Sequence, residues 1–180
     1  RWAWELLAVA RADGVELSVA ALNAAESACS NRGRWECASW LLESMPQSRL
    51  LPDVTSFNTA ITACSREGRW QRAVALFAKM PACRLTPDVV TYNSLISAYS
   101  HGRCWQPALL LLDLMRQRGC VPDVITYNTA MDACSEGGQH ELVLSLLGRM
   151  EQRGPEPNVI SYNTAIAACS GAPSEPLRLL

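Results

Sequence analysis

This sequence is short of aromatic residues and nearly free of charge imbalance, and each shortage narrows what it can be. Aromatics make up 7% of its 180 residues and hydrophobic residues of all kinds 49%. Its core is therefore expected to be Ala, Leu, Val, Met and Cys packed between helices, not the aromatic and β-branched surface of a sheet. The formal net charge of -1 supplies no general attraction to a polyanion. Lysine is nearly absent: Lys79 stands alone against fifteen arginines, and arginine is the cation that grips planar or bidentate partners. No apolar run approaches the roughly 20 residues of a membrane-spanning helix. No Arg-rich, acid-poor leader opens these residues, and Arg1 falls part-way through a repeating unit, so any targeting segment is expected upstream.

Metal-binding and catalytic patterns are missing too. The eight cysteines include no Cys-x-x-Cys pair and have no His at ligand spacing. Cys29, Cys64, Cys134 and Cys169 share one place of the unit, where the third unit has Tyr99; a place that takes either side chain reads as a buried helix face. Cys37, Cys83, Cys104 and Cys120 read as structural thiols as well, which fits a reducing compartment. His-Glu-x-x-His, a glycine-rich phosphate loop and the paired motifs of zinc deaminases are absent. His101 and His140 stand where other units carry different residues and read as surface or packing. The expectation is no enzyme, no metal and no cofactor.

What the chain does have is repetition. Units begin at 19, 54, 89, 124 and 159, each 35 residues after the last, the kind of fixed period that marks a solenoid whose units touch only their neighbours. Residues 1–18 align with the second half of a unit, 19–53 form a degenerate unit, 54–88, 89–123 and 124–158 are regular, and 159–180 hold a partial one. Together they read as one solenoid domain, a piece of a longer array. The expected fold is all-α: a right-handed α-solenoid superhelix of stacked antiparallel helix pairs.

Tyr92, Leu95, Ile96 and Tyr99 recur at i, i+3, i+4 and i+7, the stripe of an amphipathic first helix. Thr91, with Ser56, Thr126 and Ser161 at the same place, is expected to be its N-cap. Gly68-Arg69, Gly102-Arg103 and Gly137-Gly138 break the chain. A second stripe then runs through Trp70, Ala73, Val74, Phe77 and Met80, and through Trp105, Ala108, Leu109, Leu112 and Met115. At that spacing the Trp and Met rows read as inter-helix packing. Pro52, Pro87, Pro122 and Pro157 end each unit, Pro107 sits harmlessly in a first turn, and Pro46 and Pro81 should shorten the second helices they follow. In the degenerate unit, Leu22 and Glu26 replace the aromatic and aliphatic residues of the stripe, as expected of an exposed or poorly packed helix. The tail from Gly171 to Pro176 leaves the register.

Asn23, Asn58, Asn93, Asn128 and Asn163 all occupy the fifth place, next to the buried aromatic but off the apolar stripe. Helix propensity does not explain five of them. The thirteenth place, by contrast, varies freely through Asn31, Arg66, His101, Glu136 and Gly171. The last place holds Asp53, Asp88, Asp123 and Asn158, brought near the amides because each closing loop leads into the next first helix. Two readings stand side by side. One is a ladder of donors and acceptors offered to an extended polymer with one polar edge per step. In the other, Asn helps Thr or Ser cap the helix while Asp favours its first turn.

The motif Val-x-Thr-Tyr-Asn-x-Leu-Ile, followed by a Leu-rich helix, Met and Pro-Asp over 35 residues, resembles the pentatricopeptide repeat family. The 34-residue tetratricopeptide repeat is a poorer match in period and first-helix motif. The resemblance implies binding of single-stranded RNA, one base per repeat. It implies a code at the fifth and last places: Asn23/Asp53, Asn58/Asp88 and Asn93/Asp123 for uracil, and Asn128/Asn158 for cytosine or uracil. Asn163 would read without its partner. It further implies clamping of bases by small apolar residues at the second place, met by Val90, Ile125 and Ile160 but not by Ala20 or Thr55, and phosphate contact from Arg66 and His101 at the thirteenth. By the same resemblance the protein is a monomeric fragment working in a mitochondrion or plastid on RNA processing, stabilisation or translation, alongside other RNA-processing proteins. A helical scaffold for protein partners remains the alternative.

Overall fold

The four units 19–53 to 124–158 each close with Pro-Asp or Pro-Asn, and this dipeptide sets where the next helix begins. Proline disfavours helix in the residue before it, and the short polar side chain after it takes up the unsatisfied N–H groups of the next helix. The computed structural model describes residues 20, 23–24, 35–46 and 49–170. Within them lie α1 (Trp35–Ser44), α2 (Val54–Arg66), α3 (Trp70–Lys79), α4 (Val89–His101), α5 (Trp105–Gln117), α6 (Val124–Glu136), α7 (His140–Arg153) and α8 (Val159–Ser170). No strand occurs among the described residues. The half-unit 1–18, Leu22, Glu26, Cys29, Asn31 and the tail 171–180 lie outside them.

The helices form the expected α-solenoid. Each second helix runs back along its first helix and touches the next: α3 lies against α2 and α4, and α5 against α4 and α6. The first helices α2, α4, α6 and α8 also lean directly on one another. Alanine makes this close approach possible, with Ala60, Ala63, Ala98, Ala130, Ala133, Ala165 and Ala168 all buried between them. Second helices hardly touch each other. They are linked by exposed ion pairs, Glu43 with Arg72 at 2.6 Å and Lys79 at 3.2 Å, and Asp113 with Arg149 at 3.0 Å, each a weak bond in water. The first helices therefore form one continuous, tightly spaced layer.

Two turns per unit need a left-handed residue. Gly68, Arg103 and Gly138 (φ 64°, 54° and 69°) join first to second helix, and Arg49, Arg84 and Gly119 (φ 57°, 57° and 78°) lead out of the second. The prolines act as expected on length: Pro81 opens a short 3-10 turn, Pro81–Cys83, and α3 has 10 residues where α5 has 13.

Packing follows the two stripes. Met45, Met80, Met115 and Met150 are buried at the ends of the second helices, under the aromatic row of Phe57, Tyr92 and Tyr127. Trp70 packs on Tyr99 of the next first helix, with ring centroids 5.7 Å apart. Cys64 and Cys134 are fully buried; burial pushes both thiols up, Cys134 to about 11, which leaves them inert.

Candidate nucleic-acid interface

The helix cap builds the site. Asp53, Asp88 and Asp123, not the Ser or Thr three residues on, are the N-caps of α2, α4 and α6. Helices begin three residues earlier than the hydroxyl row implies, because the extended Asp takes the third N–H itself. Oδ1 of each Asp accepts the backbone N–H of Ser56, Thr91 or Thr126 at 2.8 Å, and that residue's hydroxyl accepts the Asp N–H at 3.4, 3.1 and 3.1 Å. This is a reciprocal capping box. Asn158 does the same for α8 with Ser161, but as a neutral cap at a longer 3.1 Å, as expected when the acceptor loses its charge.

The fifth-place amide of the preceding unit closes the network. Asn23, Asn58 and Asn93 donate from Nδ2 to Oδ1 of Asp53, Asp88 and Asp123 at 3.3, 3.0 and 3.3 Å, and Asn128 donates to Asn158 at 3.3 Å. Their Oδ1 atoms accept from the hydroxyls of Ser56, Thr91, Thr126 and Ser161 at 2.7, 2.5, 2.6 and 2.7 Å. The two places are thus brought together in all four pairs, joined by a hydroxyl expected only to cap its own helix. The visible signal is that this place is Ser or Thr in each of the four units from 54 onward. Asn58 and Asn128 are only 9% and 7% exposed, so the amides belong to the cap network as well as to any outward edge.

Chemistry fixes what these bonds leave over. A carboxylate only accepts, so the amide end facing it is its NH2 group. These bonds use one N–H of each Asn and the Oδ1 of each Asp, which leaves the first three pairs a second amide N–H and a second carboxylate oxygen. In the fourth pair Oδ1 of Asn158 faces the Ser161 N–H, so what the pair has left over is an amide N–H and a second NH2 group. Burial pushes the Asp53, Asp88 and Asp123 carboxyls up, yet the bonds from the backbone and hydroxyl of the third residue and from the Asn amide outweigh it and hold all three below their ordinary value. They are ionised acceptors.

Beside this row stand exposed second-place side chains: Val90, Ile125 and Ile160 are 54%, 64% and 58% exposed, with Ala20 and Thr55 exposed at the same place. Arg66 and His101 are exposed in the last turns of α2 and α4, while Glu136 in α6 pairs with Arg103 at 3.7 Å. Asn163 is exposed on α8. His140 is half-buried where other units have Trp.

The sequence matches the PPR repeat family over residues 52–101, 87–136 and 122–171, and the pentatricopeptide repeat domain over residues 5–67. The chain belongs to the pentatricopeptide repeat family. Solved members of the family share its fold. The pentatricopeptide repeat protein PPR10 from maize superposes with a TM-score of 0.72 at 34% identity over 93% of this chain. PPR10 in complex with an 18-nt psaJ RNA element gives 0.74 at 33% over 92%. This chain spans 24% of the length of PPR10. The pentatricopeptide repeat domain of Arabidopsis thaliana protein-only RNase P 1, solved with tRNA, has the same fold at TM-score 0.72 and 16% identity, over 84% of this chain and 80% of that one. Among curated sequences none matches.

Proposed function

We propose that this chain is a non-catalytic, sequence-specific single-stranded RNA-binding module that reads one base per hairpin and prefers a tract 5'-UUU(C/U)-3'. The observation that carries the reading is the four-fold recurrence of one bonded pair, the fifth-place Asn on the last-place Asp or Asn, which leaves at each step an amide N–H with either a carboxylate oxygen or a second NH2 group. Uracil offers a carbonyl acceptor next to the N3–H donor, which suits the Asn N–H and the Asp Oδ2 of the first three pairs. Cytosine has an acceptor at N3, which suits the second NH2 group at Asn158. The amide's remaining N–H suffices for this role, so its bonds within the cap orient it without consuming it. Val90, Ile125 and Ile160 supply apolar faces between successive bases, and phosphate contact is assigned to exposed Arg66 and His101. PPR10 was solved with a bound RNA element, which supports carrying RNA binding over to this chain.

Base stacking is worth about 1 to 3 kcal/mol per base. Four bases, after ordering costs, give micromolar affinity, equivalent to about -8 kcal/mol. Binding of oligo-U, oligo-A and oligo-C, with single guanines placed in the U tract, tests the reading. Guanine carries the same adjacent acceptor and donor as uracil, so its rejection is the stringent part; equal affinity for all of them removes the code. Work in a mitochondrion or plastid on RNA processing, stabilisation or translation is the cellular role we attach to this activity. Exposed Leu51 and Val121 and the near-neutral charge favour the scaffold alternative. That alternative gains if a protein partner still binds after all five fifth-place Asn are changed to Ser.

A further inference from the structure

We propose that the buried hydroxyls of Ser56, Thr91, Thr126 and Ser161 are positioning residues for base specificity, because each locks the orientation of the amide in the preceding hairpin. This rests on the base-reading function proposed above. An amide turns about its last side-chain torsion with little intrinsic preference, and only its partners decide which end faces the nucleotide. Each hydroxyl reaches back 33 residues to the Asn Oδ1 at 2.5–2.7 Å. It has a single proton. The contact to the cap Oδ1 is longer, at 2.8–3.1 Å, and that atom already receives a backbone N–H and the Asn Nδ2–H, so the proton goes to the amide oxygen.

All four hydroxyl residues are 0% exposed, so water does not stand in for the lost donor. Without the hydroxyl the amide oxygen is left unsatisfied in a largely enclosed place, and the amide turns to recover a partner. Its second N–H then leaves its fixed position. The four pairs do not depend on the hydroxyl equally. In the first three, the carboxylate repels the amide oxygen and holds the NH2 group by charge. In Asn128/Asn158 both partners are neutral, and Ser161 is the strongest constraint on the Asn128 amide.

The test measures binding of short RNAs by fluorescence anisotropy, with each of the four bases placed in turn at one step. For Ser161→Ala, the preference for the best over the worst base at the fourth step is expected to fall about five- to tenfold, with the other steps unchanged and Ser161→Thr restoring it. Thr91→Val is expected to lower the preference at its own step about twofold, since Asp88 still holds Asn58. If Ser161→Ala unfolds α8 in a melting curve, Thr126→Val inside the stack carries the comparison with the smaller, about twofold loss at the third step, since Asp123 still holds Asn93. A wild-type chain without base preference overturns the function beneath the proposal. A wild type that discriminates, with variants that bind more weakly but at unchanged ratios, overturns the positioning role alone and leaves a helix cap.

Discussion

At the scale of single residues the four caps form an internal comparison. Asn158 does the work of Asp53, Asp88 and Asp123 without their charge, and its bond to the third N–H is 3.1 Å where theirs are 2.8 Å. A negative cap interacts favourably with the positive end of the helix. Asn158→Asp is therefore expected to stabilise the chain by about 0.5 to 1 kcal/mol, read as a raised Tm. A second local dependence lies at the Trp row. A Cβ on Gly102 would lie 2.4 Å from Trp70 Cδ1, and one on Gly137 2.3 Å from Trp105 Cδ1. Each glycine is there to admit an indole from the preceding unit, and the ring, wedged against Tyr99 in the first case, has little room to shift. Gly102→Ala is expected to cost about 1 to 3 kcal/mol, checked by urea unfolding; a loss under 0.5 kcal/mol, on the order of an ordinary surface change, would contradict the account.

At the scale of elements, the caps couple helix stability to pH. The folded carboxyls of Asp53, Asp88 and Asp123 lie below their ordinary value. They contribute stability in full above the unfolded value, and it is lost as pH falls through the folded one. Asp132 works the other way, since burial and the charge of Glu136 push its carboxyl up against the bond from Thr164, so it is less at odds with acid. The chain is expected to lose stability below about pH 4, the unfolded range of Asp. The triple variant Asp53→Asn, Asp88→Asn, Asp123→Asn should start less stable at pH 7 and show a flatter acid limb in denaturant titrations. Parallel acid limbs would contradict the assignment. Helix boundaries were legible where punctuation was strong: Pro-Asp starts, glycine breaks and the shortening before Pro81. The N-cap was misread by three residues because Thr and Asp are both good caps, and only the backbone decides which one is extended. The constancy of Ser or Thr at the third place was legible, but its link to the amide 33 residues away was not, since a contact between units depends on stacking geometry.

At the scale of the whole molecule, repetition turns a local cap into an array. Stacking of alanine-lined first helices repeats the Asn, last-place and hydroxyl trio four times along the first-helix layer, so a change at one hairpin need not disturb the next. The fixed period made this architecture readable from the sequence. The period also showed which two places were constrained, but not that they bond to each other. The most direct measurement is an Asp88→Asn exchange followed by binding of RNAs that carry uracil or cytosine at the second step. The account predicts that the exchanged chain loses its preference for uracil over cytosine at that step, accepting both as the Asn128/Asn158 pair does, and keeps its preferences at the other three. An unchanged preference at the second step, or a uniform change at all four, would contradict it.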